Sequence, residues 1–235
     1  MEAGLQVLND HSTFQIDSKY KNLVLIRKTQ VTVNPSPSNT VQYLNNAHRY
    51  TAAYTNSVVA VSTPSAQPIA VLKASDLAYY ITTIGSAAVS IIVYEFRPII
   101  EGAQGSLGLN VYDAQGVLIF DALQPPMRVV AGADASVWNI TTAVAQSTHI
   151  AVANQRSYAF VLAHFDCFCQ NERFPIPTGY RYLQRIVAPS IFYDVANSRI
   201  TLSGELIATN QEPIATTFEY GGARLAGFVI DITDY

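Results

Sequence analysis

His164, Cys167 and Cys169 form the one cluster of imidazole and thiol side chains in this chain of 235 residues. A structural zinc site takes four ligands, commonly from paired C-x2-C segments, and here the cysteines are two apart. On an extended strand both point to one face and His164 to the other. Extended positions of this kind fit poorly to disulfide geometry, so the spacing favours packing, a free cysteine behaving as a small buried hydrophobe. The carboxylates Glu95, Glu101, Asp113, Asp121, Asp134, Asp166, Glu172, Asp194 and Glu205 are scattered. A glycosidase needs two of them facing each other at about 5 to 9.5 Å, and no pair is singled out. Asp231, Asp234 and Glu219 can be grouped as a cation site, although such residues are more often merely solvated. The chain has no G-x-S-x-G elbow, no Walker A loop and no G-x-G-x-x-G run. Gly102, Gly105 and Gly108 lack the strand-to-helix setting that phosphate binding uses. The expectation is a chain without catalytic residues, metal or cofactor, and not an enzyme.

Tyrosine is the more informative residue type. Tyr50, Tyr54, Tyr79, Tyr80, Tyr180, Tyr182 and Tyr193 are expected in or near loops, where Tyr beside Asn and Ser can stack on sugar rings. The alternative is that they fill interfaces or cap the core.

The elements that must position these residues are strands. Period-two and β-branched runs lie at Leu23 to Val33, Ser57 to Ser62, Ile69 to Lys73, Ala88 to Phe96, Ser157 to Phe165, Arg199 to Ala208 and Leu225 to Thr233. Clusters of Gly, Pro, Asn or Ser separate them, as in an antiparallel sandwich or barrel. In Val89 to Phe96 both alternating sets are largely apolar, which predicts a central strand covered on both faces. Helical signals are limited to a short turn at Val41, Leu44 and Ala47 and a cap at Ser75 before Leu77. Asn34 to Asn39, Gln124-Pro125-Pro126 and Phe174 to Gly179 read as breaks. Glu101 to Ser106 is the best linker candidate. An all-β chain follows, with antiparallel sandwich units at 1–101 and 102–235, or the two interlocked as one duplicated unit.

Charged residues are 13% of the chain, hydrophobic residues 49%, and the formal net charge is −3. The charged share is about half the usual one, so the polar surface is carried mostly by uncharged side chains. The densest basic group is Arg27-Lys28, far short of a phosphate-binding footprint, so nucleic acid is excluded as an expected partner. No apolar run approaches the roughly 18 residues of a membrane span, and Met1 to Asp10 lacks the pattern of a Sec leader. Two cysteines are too few for a disulfide framework. A chain made in a bacterial cytoplasm is expected, where the sequon Asn139-Ile140-Thr141 has no meaning. With 14 Tyr and 10 Phe against 14 Lys and Arg together, the composition suits surfaces buried between subunits, where charge is depleted and aromatics are enriched.

The strongest signal is an internal match. Gly4-Leu5-Gln6-Val7-Leu8-Asn9 through Ile16-Asp17-Ser18 aligns without gaps to Gly108-Leu109-Asn110-Val111-Tyr112-Asp113 through Phe120-Asp121-Ala122, and Leu23-Val24-Leu25 then falls opposite Met127-Arg128-Val129. Each segment reads as a β-hairpin followed by a further strand. Asp113-Ala114-Gln115-Gly116 has the signature of a type I turn, with Asp at its first place and Gly at its fourth. In the first segment Ser12 stands where the second has Gly116. A gapless match that keeps the turn in register is the mark of a repeat.

This hairpin resembles one found in a family of tailed-bacteriophage proteins of the tail tip and tail-fibre region. The Phe228-Val229-Ile230-Asp231-Ile232 run fits the β ending common among them. The resemblance covers about a fifth of the chain, and Ser12 and Ala122 depart from its usual Gly and Ser or Thr. It implies a structural virion protein of the tail tip, baseplate or fibre-attachment region, made in the host cytoplasm and located in the virion tail. Its partners would be itself, with a trimer favoured, and other phage tail proteins, with neither nucleic acid nor membrane insertion. Alternatives are a receptor- or carbohydrate-binding module of the tail, with a host surface glycan as partner, and a capsid decoration protein. The residues expected at the interface are Leu5, Val7, Leu109, Val111 and Tyr112.

Overall fold

Runs of alternating β-branched residues bury one face and leave the other free, and among the described residues they fold into twenty strands. In chain order these are β1 (Gln6–Leu8), β2 (Phe14–Asp17), β3 (Leu23–Val33), β4 (His48–Thr51), β5 (Val58–Ser62), β6 (Ile69–Lys73), β7 (Ala78–Thr83), β8 (Val89–Pro98), β9 (Asn110–Tyr112), β10 (Leu118–Asp121), β11 (Arg128–Ser136), β12 (Trp138–Asn139), β13 (Val144–Ala145), β14 (Ser147–Ala151), β15 (Tyr158–Asp166), β16 (Phe168–Ile176), β17 (Gly179–Asp194), β18 (Arg199–Asn210), β19 (Glu219–Tyr220) and β20 (Arg224–Asp231). The structure is a computed structural model that describes residues 6–8, 14–17, 22–35, 47–62, 67–83, 87–99, 108–136, 138–139, 144–166, 168–176, 179–210, 219–220 and 224–235. At 6–8, 14–17, 136, 138–139, 144–145, 164–166, 168–174, 176, 179–189, 205–210 and 219–220 the description is of the backbone alone.

The strands form an antiparallel sandwich. The first sheet has the order β11-β20-β15-β5-β8-β3. The second has the order β14-β18-β17-β6-β7-β4, extended by β16 on β17 and β19 on β16. Three two-stranded ribbons, β1–β2, β9–β10 and β12–β13, stand apart. Each main sheet takes strands from both sides of residue 101, joined through β5–β15 and β6–β17. The order also reads alike from either edge. β3, β4, β5, β6, β7 and β8 hold the places that β11, β14, β15, β17, β18 and β20 hold in the other half.

The core between the sheets has two parts. Val33, Val59, Val61, Ile69, Val71, Ile81, Ile91 and Val93 fill the first-half side. Phe160, Ile191, Ile200, Leu202, Leu225 and Val229 fill the other. Each of these large side chains contributes roughly 1.5–3 kcal/mol by leaving water. A third cluster, with Ala60, Tyr94, Phe96, Ala159, Val161 and Ile230, lies on the opposite face of the first sheet. That face is covered because the sheet curls until its edges meet. Val24 bridges Pro126, the Leu25 amide donates to the Pro125 carbonyl (2.9 Å) and the Met127 amide to the Leu23 carbonyl (2.7 Å). Tyr235 closes the seam with its ring 5.9 Å from Phe96, and its hydroxyl donates to the Pro126 carbonyl. The doubly apolar strand β8 is thus buried on both faces, with Ile91 and Val93 to the second sheet and Tyr94 and Phe96 to the third cluster.

The helical cap at Ser75 is corrected. Its hydroxyl accepts from the Ala78 amide (3.1 Å) inside the β6–β7 turn, and a β-branched return strand follows it. The turn at Val41, Leu44 and Ala47 and the linker Glu101 to Ser106 lie outside the described residues or at their margin. Phe174, Pro175 and Ile176 belong to β16 and Gly179 to β17 rather than to a break in the sheet, and Pro177 and Thr178 lie outside the described residues.

Gly227 on β20 marks the tightest crossing. A Cβ there would sit 2.1 Å from the Val161 carbonyl oxygen and 2.6 Å from the Phe160 ring, where β15 is irregular between Leu162 and His164. Backbone cannot swing away as a side chain tip can. Gly227→Ala is expected to destabilise the chain by about 1–3 kcal/mol, read as a lowered urea midpoint. Gly132→Ala, with open space around it, serves as the near-neutral control.

Candidate assembly surface

The ribbon β9–β10 is built from its turn outward. The Asp113 carboxylate accepts from the Gln115 amide (2.9 Å) and the Val117 amide (2.8 Å), and the Gly116 amide closes onto the Asp113 carbonyl at 3.0 Å. Gly116 takes φ +79°, which a side chain would oppose. Below the turn, Leu118 is buried against Val24 and Ile99, and Ile119 and Phe120 are buried beside it. The Asn22 amide donates to the Ile119 carbonyl (3.1 Å), which anchors the ribbon to the start of β3.

Apolar side chains on and beside the ribbon also stay open to solvent. Leu109 is 52% exposed, Tyr112 51% and Leu123 53%. Asp121 fixes the last of these by accepting from the Leu123 amide at 2.9 Å. Single exposed apolar residues are ordinary, whereas three on or beside one short ribbon concentrate apolar surface that partners can cover. Of the residues expected at an interface, Leu109 and Tyr112 are therefore at the surface, and Val111 is half-buried. Val7 lies on β1 opposite Ile16, with only its backbone described, and Leu5 is outside the described residues.

Glu95, Asp113, Asp121 and Asp194 are each held in hydrogen bonds of the fold, while the side chains of Asp166, Glu172 and Glu205 are not described and Glu101 lies outside the described residues. Glu95 is fully buried. It accepts from the Ser57 hydroxyl (2.6 Å), the Ala53 amide (2.6 Å) and the Tyr50 hydroxyl (3.0 Å), and pairs with Arg27 at 2.6 Å. Arg27 also donates to the Tyr50 hydroxyl and the Thr51 carbonyl. This latch ties β3, β4, β8 and the loop before β5 together. Burial would raise the Glu95 carboxyl, but the bonds from Ser57, Ala53 and Tyr50 and the charge of Arg27 overcome it and hold the group below its usual range. Tyr50 is pushed up to about 12, first by burial and then by the Glu95 charge.

Asp231 and Asp234 are not a cation pair. Asp231 is buried and takes the Thr233 amide (2.9 Å), the Thr233 hydroxyl (2.6 Å) and Arg156, while Asp234 pairs with Arg128 at 3.0 Å. The side chain of Glu219 is not described. Among the described residues no three His, Cys, Asp or Glu side chains converge as metal ligands. His164 and Cys169 are placed on β15 and β16 by their backbone only, and Cys167 lies outside the described residues.

The tyrosines also depart from the loop expectation. Tyr50 and Tyr79 are buried on β4 and β7, and Tyr80 is half-buried beside Tyr79. Tyr193 meets Tyr158 edge-on at 5.8 Å. Tyr54 is exposed in a loop, with the Arg97 guanidinium 4.0 Å over its ring. Tyr180 and Tyr182 are described only by backbone. Sequence reasoning had no signal for the Glu95 latch, because its members come from four separate segments and only the fold brings them together.

The latch makes stability depend on pH. A carboxyl held low in the folded state stabilises it above the unfolded value near 4.3, and that contribution is lost as pH falls through the folded value. Glu95→Gln is expected to cost about 1.5–3 kcal/mol at neutral pH. It should also flatten the acid side of the stability curve below about pH 4, measured by urea unfolding from pH 2.5 to 7.

In comparisons with family models, characterised proteins and solved structures, the chain matches none of them.

Proposed function

We propose that the chain is a structural component of the distal tail of a bacteriophage particle, in the tail tip, baseplate or fibre-attachment region, that assembles with itself and with other tail proteins. The observation that carries this reading is the exposed apolar side chains on and beside β9–β10, where Leu109, Tyr112 and Leu123 are each about half exposed on a ribbon anchored through Leu118. The ribbon is one of the two segments whose sequence resembles the tail proteins. Low charge supports the same reading, since 13% charged residues leave little of the surface with the hydration that keeps a lone protein apart from its neighbours. A trimer around the tail axis suits a self-associating chain that must present equal faces to a rotationally symmetric tube.

The test is placement and association. Labelled antibody to the chain should mark one end of purified particles, and sedimentation of the isolated chain should show a concentration-dependent oligomer. Leu109→Ser with Tyr112→Ser, both at exposed positions, should leave the circular dichroism spectrum unchanged and weaken self-association by about tenfold or more. A chain that stays monomeric at high concentration and is missing from purified particles overturns the reading.

A further inference from the structure

On β8 the strand alternation sets Glu95 and Arg97 toward one face, and Ile99 beyond them is buried against Leu118 of β9–β10. Glu95 stands in the ionic latch, at the first ladder pair past the irregularity of β3–β8. The same place on β11–β20 holds Ala131 and Val229, so there this level is apolar. The latch also fixes the loop between β4 and β5. Glu95 accepts from the Ala53 amide and the Ser57 hydroxyl, and the Ser57 amide donates to the Tyr54 carbonyl at 3.1 Å. Tyr54 is thereby held over Arg97, whose guanidinium carbon lies 4.0 Å from the centre of the ring.

Arg97 differs from comparable arginines in having no carboxylate. Among the described residues Arg27, Arg97, Arg128 and Arg199 are the partly buried arginines. Arg27 pairs with Glu95 at 2.6 Å, Arg128 with Asp234 at 3.0 Å and Arg199 with Asp194 at 3.0 Å. Even the exposed Arg156 and Arg224 pair with Asp231 and Asp134. Arg97 makes neither an ion pair nor a hydrogen bond with the described residues, and its Nε is buried without a partner. Stacking on a ring engages the face of a guanidinium and leaves its in-plane N–H donors for another group. A buried donor left unsatisfied is costly, more so on a charged group, so a guanidinium held in this state calls for a reason. Tyr54 is 46% exposed, which puts the stack at the surface.

We propose that Arg97, stacked on Tyr54, is a binding site for a carboxylate group. Arg27 and Glu95 offset each other beside it, which leaves one positive charge to be matched. A carboxylate brings one negative charge and two oxygens in a plane, and it takes a guanidinium bidentately. A phosphate monoester, with about 1.5 to 2 negative charges, exceeds what this site balances. The loop pinned by Glu95 fixes the plane of the guanidinium in advance, which lowers the cost of ordering it on binding. The ligand is either a free small acid or an acidic side chain of a neighbouring copy, and the chemistry of recognition is the same for both. The site goes beyond the assembly reading and stands or falls apart from it.

The probe is acetate, titrated against chloride at constant ionic strength and followed by the heteronuclear NMR signal of the Arg97 Nε–H group. That signal is assigned by its loss in Arg97→Lys. Acetate should shift it saturably where chloride does not, and Tyr54→Leu should weaken the binding by about threefold or more. Arg97→Lys keeps the charge without the fork, and should abolish the accompanying shift of the Tyr54 amide while the circular dichroism spectrum stays the same. Sedimentation then separates the two sources. An acidic side chain of a sister copy predicts that Arg97→Gln and excess acetate both weaken self-association by about tenfold or more. A free acid predicts that Arg97→Gln leaves self-association as it was while acetate binds the intact chain. An acetate shift no larger than that of chloride, with self-association unmoved by Arg97→Gln, overturns the proposal. So does an acetate shift that both Tyr54→Leu and Arg97→Lys leave intact, because the effect is then one of general surface charge. A chain that stays monomeric overturns the assembly reading and leaves this site to the acetate titration.

Discussion

A sheet that is apolar on both faces can leave neither of them to water. The first sheet is of this kind, and β8 states the condition most sharply. Val93 and Ile91 face the second sheet while Tyr94 and Phe96 face the other way, and all four are buried. One face is covered by stacking a second sheet on it. The other is covered by curling until β3 and the segment leading into β11 hydrogen-bond, with Tyr235 set into the seam. The rest of the architecture follows from satisfying both demands at once. Curling also removes part of the exposed edge that a flat sheet would present to neighbouring chains.

The closure depends on a symmetry of placement. β5 and β15 pair at the middle of the first sheet, β6 and β17 at the middle of the second, and the remaining strands fall outward in matched order. The seam between Leu23 and Met127 joins positions that the sequence match had already set opposite each other. The two hairpins agree in all three partner pairs and in their irregularity. Two chains of equal topology laid side by side would meet in this way, and so the arrangement within one polypeptide has the form of an interface.

Much of this was legible in the sequence, and the reason is local. β3 and β6 run over the residues their alternation marks, and the type I turn at Asp113 was written in the Asp and Gly that its backbone requires. What was not legible depends on long-range pairing. β7 begins after a Ser that also suits a helix cap, and only its ladder with β4 and β6 makes it a strand. Tyr50 and Tyr79 lie opposite each other on β4 and β7 and share one core, though the chain separates them by a turn-rich stretch. Asp231 looked like a solvated terminal carboxylate until the fold set Arg156 against it.

The ionic latch shows how two halves of equal backbone acquire different roles. At one level of the ladder the first half holds Arg27 and Glu95, with Tyr50 between them. At the matched level the second half holds Ala131 and Val229. The two levels differ in charge as well, since Glu95 is fully buried while Arg27 keeps part of its side chain in water. They differ in occupancy. Long charged side chains fill their level and bind it to four segments, while at the matched level, beside Ala131, lies a cleft of about 260 Å³.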